Sequence, residues 1–414
     1  MIKANRDEFL EQGFVILRNV IPPSQIENLR QSYETLVGKQ RVVWARERQL
    51  DDPPGGQWEM RPQPRLHIHR MGNQCDEETN TAFELWLHEN VQGVSSYLLA
   101  EEDVPVADMM LMCNPVRDRG PAAWHRDFAA SRTAPLQAYT DDILENGPRY
   151  VQWNISLYDD DVLWVIPGSH VRRATEEENE SMRQNPRAPV PGGVQTHLQA
   201  GDGVAYIMPI LHWGSNYSTK LRRTIHGGFA RLTHYADKTW FKYLSPKSQE
   251  TVARWDQRSK KYVDDTEAAL RAVLAKDTEK YYAALNNLHP DQGSKGTLNL
   301  TIFCSKTAKH IYNQLCRKYD SLSEVEQGGI SMIHPTTLQW GLKLGNRFTA
   351  EEARMLWERF KPVDSILQTE EKYVQTEFHG RETNYLLEQV PAELTTENWI
   401  DSWDSGNLNS HNDH

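Results

Sequence analysis

Gly203-Val204-Ala205-Tyr206-Ile207-Met208, Leu211-His212-Trp213-Gly214 and Leu221-Arg222-Arg223-Thr224-Ile225 follow one another with only short polar or Pro-containing breaks between them. A short apolar run, a turn, a histidine and a second apolar run are the texture of closely spaced strands. The same texture extends outward over residues 106 to 235. There Asp108–Cys113, Tyr150–Leu157, Val162–Ile166, Gly203–Met208 and Leu221–Phe229 read as strands separated by Gly, Pro, Asp and Asn. Several short strands with turn signals between them predict a barrel or sandwich. The stretch from Ala129 to Arg149 reads as a loop over one mouth of it.

The flanks read as helical. Asn5, with Glu8 three residues on and Gly13 at the far end, frames a first helix, and Phe14-Val15-Ile16-Leu17 is a buried strand. Ser24 and Glu27 form the pattern of a capping box, followed by Ile26, Leu29, Tyr33 and Leu36 at helical spacing. Residues 50 to 65 are loop-rich and residues 80 to 100 look helical. Beyond 240 the pattern is helical again, in Ser248–Tyr262, Thr266–Leu288 and Ala350–Phe360. The fold class expected is therefore α+β. Residues 1–240 form the core with its N-terminal helices, 241–403 a helical extension packed on it, and 404–414 a polar, disordered tail.

Composition narrows the function. A formal net charge of −11 argues against a broad nucleic-acid surface, which needs a basic stripe, but leaves room for a local basic pocket. No apolar run approaches a bilayer's thickness, and the charged start, Lys3 to Glu8, has no signal-peptide core, so the expected location is the cytoplasm without membrane contact. Four cysteines (Cys75, Cys113, Cys304, Cys316) are too scattered for a disulfide framework and read as reduced, mostly buried thiols. Thirteen tryptophans read first as core packing.

Chemistry concentrates in three places: Trp124-His125-Arg126-Asp127-Phe128, the stretch Leu211 to Ser218, and Leu221-Arg222-Arg223-Thr224. On an extended segment, His125 and Asp127 point the same way because side chains alternate. His212, 85 residues after Asp127 and read as the end of a strand that begins after Gly201-Asp202-Gly203, can complete a two-histidine, one-carboxylate face. Such a face leaves coordination positions open, as in non-haem Fe(II) oxygenases. Two of them suit a chelating 2-oxo acid and one suits O2. An arginine on the next strand can grip the far carboxylate of that acid as a bidentate fork. Parity favours Arg222, which shares a polar face with Thr224 and His226, over Arg223, which shares the apolar face of Leu221, Ile225 and Phe229. Each feature alone is common by chance; their joint order is much less so.

These residues resemble the phytanoyl-CoA dioxygenase family. The resemblance runs over residues 5 to 235. It rests on Glu11-Gln12-Gly13-Phe14-Val15-Ile16-Leu17-Arg18, Trp124-His125-Arg126-Asp127, Leu163-Trp164-Val165-Ile166-Pro167-Gly168-Ser169-His170 and the segment His212 to Arg222 with Asn216 and Ser218. It implies a double-stranded β-helix, a cupin-like jelly roll. It also implies a dioxygenase that uses Fe(II), 2-oxoglutarate and O2, hydroxylates an unactivated C–H bond of a small molecule, and releases succinate and CO2. Carried over, His125, Asp127 and His212 are the iron ligands and Arg222 holds 2-oxoglutarate, with Ser215 as helper and Trp153 as a wall of that pocket. Related halogenases lack the metal carboxylate, so the presence of Asp127 points to oxygenation. Tyr158-Asp159-Asp160-Asp161 stands where the family often has an Asn-Gly pair, and the turn after His212 is one residue short.

Other readings compete. A non-catalytic binding module or pseudoenzyme could retain the fold, although a retired site has no need of triad and arginine together. Arg65-Leu66-His67-Ile68-His69-Arg70 alternates like a strand. It reads as an exposed strand, as a basic wall for an anionic substrate, or as the His-x-His pair of a metal hydrolase that lacks identifiable further ligands. His170 reads as a turn residue. Cys304, His310 and Cys316 cannot converge on one zinc ion from a helix, because steps of six residues turn about 240° each.

Overall fold

The computed structural model describes residues 1–127, 135–231, 239–322, 344–374, 377 and 382–405. Nine short strands form its centre: β1 (Phe14–Leu17), β2 (Arg65–His67), β3 (Val106–Cys113), β4 (Tyr150–Ser156), β5 (Trp164–Val165), β6 (Val194–Gln195), β7 (Gly203–Ile207), β8 (His212–Trp213) and β9 (Arg223–Ala230). Six of them make an antiparallel sheet in the order β1-β7-β4-β9-β3-β2, and β6-β5-β8 make a second, smaller sheet. Helices surround both, so the class is α+β, as the sequence predicts.

Strand alternation sorts the large sheet into two faces. Leu66, Met109, Leu111, Val151, Trp153, Ile155, Ala205, Ile207, Ile225 and Phe229 enter one hydrophobic core with Leu29, Tyr33, Leu36 and Val37 of the helix Ile26–Glu47. Each such side chain contributes roughly 1.5–3 kcal/mol when fully buried. The other face carries the intervening residues. Register sets His67, Met110, His226, Asn154 and Val204 in one row across five strands. Val204 and Tyr206 pack on Leu163, Val165 and Ile210, which ties this face to the small sheet.

The first helix, Arg6–Gln12, forms as read. The Asn5 side chain accepts from the Glu8 amide, and Gly13 closes the helix at φ +82°, where a β-carbon would collide with the His170 ring. Four readings need correction. The Ser24–Glu27 capping box does not form, because Pro23–Gln25 is a 3-10 turn and Glu27 pairs with Arg30. The span read as a loop from Ala129 to Arg149 contains a helix, Leu136–Asn146. Its Leu136, Ala138 and Tyr139 pack into the core of the C-terminal helices, while residues 128–134 lie outside the described residues. His212 does not end the strand that starts at Gly203; the chain turns after Ile207 and His212 opens β8 in the other sheet.

The fourth correction concerns the C-terminal half. Its described helices are Pro246–Ala275, Thr278–Leu288, Ser294–Cys316, Ala350–Leu367 and Thr396–Ser405, but it also carries a hairpin, β10 (Gln368–Val374) with β11 (Glu382–Tyr385). These helices share a hydrophobic core of their own with Leu136 and Tyr139. The predicted tail beyond residue 405 lies outside the described residues. No described helix is long and apolar enough to cross a membrane. Cys75, Cys113 and Cys304 are buried free thiols, and Cys316 is half-buried.

Candidate active site

His125 and His212 face each other across an isolated antiparallel bridge. Each backbone amide donates to the other's carbonyl at 2.9 Å. The two segments are thus held by their backbones, and the imidazole centroids lie 4.3 Å apart. Each ring is fixed in the same way. His125 Nδ1 donates to the Ala123 carbonyl at 2.7 Å and His212 Nδ1 to the Ile210 carbonyl at 3.0 Å. A carbonyl can only accept, so both Nδ1 atoms carry a proton and Nε2 is the atom each ring turns toward the site.

The two Nε2 atoms converge on one carboxylate. His125 Nε2 lies 3.6 Å from Asp127 Oδ1, and His212 Nε2 lies 3.4 Å from Asp127 Oδ2. One ligand atom from each of the three lies within 4.8 Å of the others. Two imidazoles, each oriented by a backbone carbonyl, and one carboxylate form the donor set that a mononuclear Fe(II) site uses, so the residues fit that ion. Burial works against protonating His212, but the adjacent Asp127 carboxylate outweighs it and the imidazole pKa is raised overall.

Asp127 is held from the sheet. Gln152 Nε2 donates to Asp127 Oδ2 at 2.6 Å and to the Tyr206 hydroxyl at 2.8 Å. Nearby, His226 Nδ1 donates to Asn154 Oδ1 at 2.6 Å. Burial, reinforced by the Arg65 charge, brings the His226 pKa down to about 4, so this ring is neutral at pH 7. Gln152 and Asn154 had a sequence signal that went unused: they are polar at alternate positions of an otherwise apolar strand.

The triad opens into a cavity of about 760 Å³ whose walls include Tyr206, Asn154, His226 and Arg222. Arg222 is buried, and its Nε donates to Asp160 Oδ2 at 2.9 Å; the same oxygen accepts from Thr224 Oγ1 at 2.6 Å. Burial alone would raise the Asp160 carboxyl pKa, but Arg222 and the hydroxyl hold it below the usual range. Asp160 belongs to the acidic run that marked a departure from the family pattern; here it anchors the arginine. Arg223 points away, to Glu34 at 2.7 Å.

The remaining predicted residues lie elsewhere. Trp153 faces the core on the opposite side of β4, its Nε1 donating to Ser95 Oγ at 2.9 Å, so it cannot wall the cavity. Ser215 is buried in a backbone bridge with Pro121; its neighbours Gly214 and Asn216 line the cavity and it does not. His170 is a turn residue whose Nε2 meets the Leu10 carbonyl. Cys304, His310 and Cys316 lie along one helix and form no metal-ligating group among the described residues. His67 and His69 do acquire a third partner, Asp108, which sequence could not identify. Both His69 nitrogens are occupied, however: Nδ1 lies 2.9 Å from Asp108 Oδ1 and Nε2 accepts from Arg70 Nε at 3.1 Å.

The family model described as phytanoyl-CoA dioxygenase matches residues 9–224. No curated protein matches the chain. Similar solved structures include AviO1 from Streptomyces viridochromogenes Tue57, with 22% identity over 54% of this chain and 92% of that one and a TM-score of 0.38. The non-heme alpha ketoglutarate dependent epimerase SnoN from nogalamycin biosynthesis has 16% identity over 54% and 79%, with a TM-score of 0.36. EctD from S. alaskensis, solved with 2-oxoglutarate and 5-hydroxyectoine, has 16% identity over 54% and 74%, with a TM-score of 0.39.

Proposed function

The chain belongs to the phytanoyl-CoA dioxygenase family, and from that premise we propose that it hydroxylates an unactivated C–H bond of a small molecule, with His125, Asp127 and His212 as its iron ligands. The family's chemistry is Fe(II)- and 2-oxoglutarate-dependent oxygenation. On this reading the two sheets are the halves of a double-stranded β-helix, with residues 1–240 as the catalytic unit and 241–403 as an extension. Bound Fe(II), with 2-oxoglutarate and O2, supplies the oxidant for the C–H bond, and succinate and CO2 leave as co-products.

The protein's own part is positioning. His125 and His212 have their Nδ1 atoms committed to backbone carbonyls, which leaves Nε2 of each ring as the atom that faces the metal position. Gln152 holds Asp127 in the carboxylate rotamer that faces them. Arg222, kept charged and oriented by Asp160, binds the distal carboxylate of 2-oxoglutarate as a guanidinium fork. The cavity above excludes bulk water from the reacting centre once substrate fills it.

The observation that carries the proposal is the matched pair of Nδ1–carbonyl bonds aiming both histidines at Asp127. A non-catalytic module would have no need to commit both rings to the metal-binding tautomer. The test is anaerobic titration of the metal-free protein with Fe(II) and 2-oxoglutarate, following the visible charge-transfer band of a chelated 2-oxo acid. The band should form with wild type and fail with His212→Ala. A folded protein that binds neither Fe(II) nor 2-oxoglutarate would overturn the proposal.

A further inference from the structure

β2 and the segments on either side of it set an unusual amount of positive charge on one wall of the active-site cavity, through Arg61, Arg65 and Arg70. Arg61, Arg65, His67 and Arg70 all line it and all are exposed. Among the described residues, none of the three arginines forms an ion pair. Arg65 Nε donates only to Gln63 at 2.7 Å, and Arg61 only to Gln57 at 3.3 Å. In a chain of net charge −11, three cations beside the candidate iron centre without carboxylate partners are not the average surface. Glu47 is the only carboxylate besides Asp127 on the described cavity wall.

This wall is also held in position. His69 Nδ1 donates to the Met109 carbonyl on β3 at 3.2 Å, with Asp108 Oδ1 2.9 Å away, which keeps the proton there and leaves Nε2 to accept from Arg70 Nε at 3.1 Å. Arg70 therefore rests on a chain anchored in the sheet. Arg65 lies close enough to the cavity floor for its charge to add to the burial that lowers the His226 pKa. Alternation on β2 sends Arg65 and His67 to the cavity side and Leu66 to the core.

We infer that this wall, Arg65 and Arg70 foremost, binds a tetrahedral dianion of the phosphate-monoester or phosphonate class carried by the oxygenation substrate, opposite the arginine that takes 2-oxoglutarate. What is bound rests on the oxygenase reading; that the wall binds such an anion does not. Three cations against Glu47 leave a surplus of two charges, which matches a dianion better than a single carboxylate. Guanidinium groups suit phosphoryl oxygens because each presents paired donors in a plane.

The experiment titrates inorganic phosphate calorimetrically into the full chain loaded anaerobically with Fe(II) and saturating 2-oxoglutarate, and records the charge-transfer band on the same sample. Phosphate should bind once per chain. Arg65→Ala and Arg70→Ala should each weaken it roughly tenfold, and the double variant roughly a hundredfold. Arg65→Lys/Arg70→Lys should recover part of the loss, and the band should persist in every variant. Both arginines are exposed, so their loss does not threaten folding. Absent phosphate binding, or binding indifferent to the double alanine variant, with the band intact, overturns the inference alone. No band, but arginine-dependent phosphate binding, sinks the oxygenase reading and leaves the anion site standing.

Discussion

Gln152→Met is the most informative single change, because the Gln152 side chain donates directly to the carboxylate of the triad. Its Nε2 makes two short bonds, to Asp127 Oδ2 at 2.6 Å and to the Tyr206 hydroxyl at 2.8 Å. Methionine keeps the volume and length and removes both donations. The bond to Asp127 is charge-assisted and worth about 1.5–3 kcal/mol. Partners that orient metal ligands typically change metal affinity about 10–100-fold when lost, and the two figures agree, since about 1.4 kcal/mol is tenfold. The Tyr206 hydroxyl, buried and without its donor, should cost a further 1–3 kcal/mol or so of folding stability. Anaerobic Fe(II) titration and urea unfolding separate the two effects. Tyr206→Phe is the control: it removes the hydroxyl but leaves Gln152 on Asp127, so Fe(II) affinity should stay near wild type. If Gln152→Met is less stable yet binds Fe(II) as tightly as wild type, Gln152 is only a packing residue and the argument about Asp127 fails.

Other outcomes follow from the same geometry. Arg222→Gln should weaken 2-oxoglutarate at least about tenfold, as expected for loss of a charged hydrogen bond, while sparing Fe(II); Arg223→Gln, whose partner is Glu34, should leave both affinities unchanged, and the reverse result would reassign the co-substrate arginine. His226 is held down to about 4 against an ordinary 6.5, so the unfolded chain takes up its proton first as pH falls. Its contribution to stability is therefore complete above pH 6.5 and is lost between there and pH 4, about 2 kcal/mol of it by pH 5; urea unfolding at pH 7.5 and 5 should show this loss in wild type and a smaller one in His226→Asn. Arg126→Met strands the buried Glu377, 3.4 Å from its Nε, and should cost about 3–5 kcal/mol, part of which Glu377→Leu should restore in the double variant measured by urea unfolding.

Much of the site was legible because it obeys period two. Alternation put His125 beside Asp127 and set Arg222, Thr224 and His226 against Arg223, Ile225 and Phe229, and both faces are as alternation requires. The same rule applied to β4 would have turned Trp153 toward the core and offered Gln152 and Asn154 to the cavity; there the family resemblance outweighed parity. What was illegible depends on long-range contact. Asp160 anchors Arg222 from 62 residues away, and Glu377 meets Arg126 from 251 residues away. No local pattern announces either pair. The helix Leu136–Asn146 was missed for a related reason, since the core that buries Leu136 and Tyr139 is built by helices far along the chain.

The two histidines and the aspartate are held by different means, and this divides their sensitivities. Each imidazole is bonded to the carbonyl two residues before it, and the two segments are bonded to each other through their amides. These bonds are to backbone, so replacing neighbours such as Trp124 or Trp213 changes packing around the rings without breaking them. Asp127 Oδ2 accepts from the side chain of Gln152 on another strand. The carboxylate is thus the adjustable ligand. Its half-exposed position at the cavity, against the near-complete burial of His212, agrees with that. Variation that tunes Fe(II) affinity without destroying the site should therefore fall on the row that runs from Tyr206 through Gln152, rather than on the residues flanking either histidine.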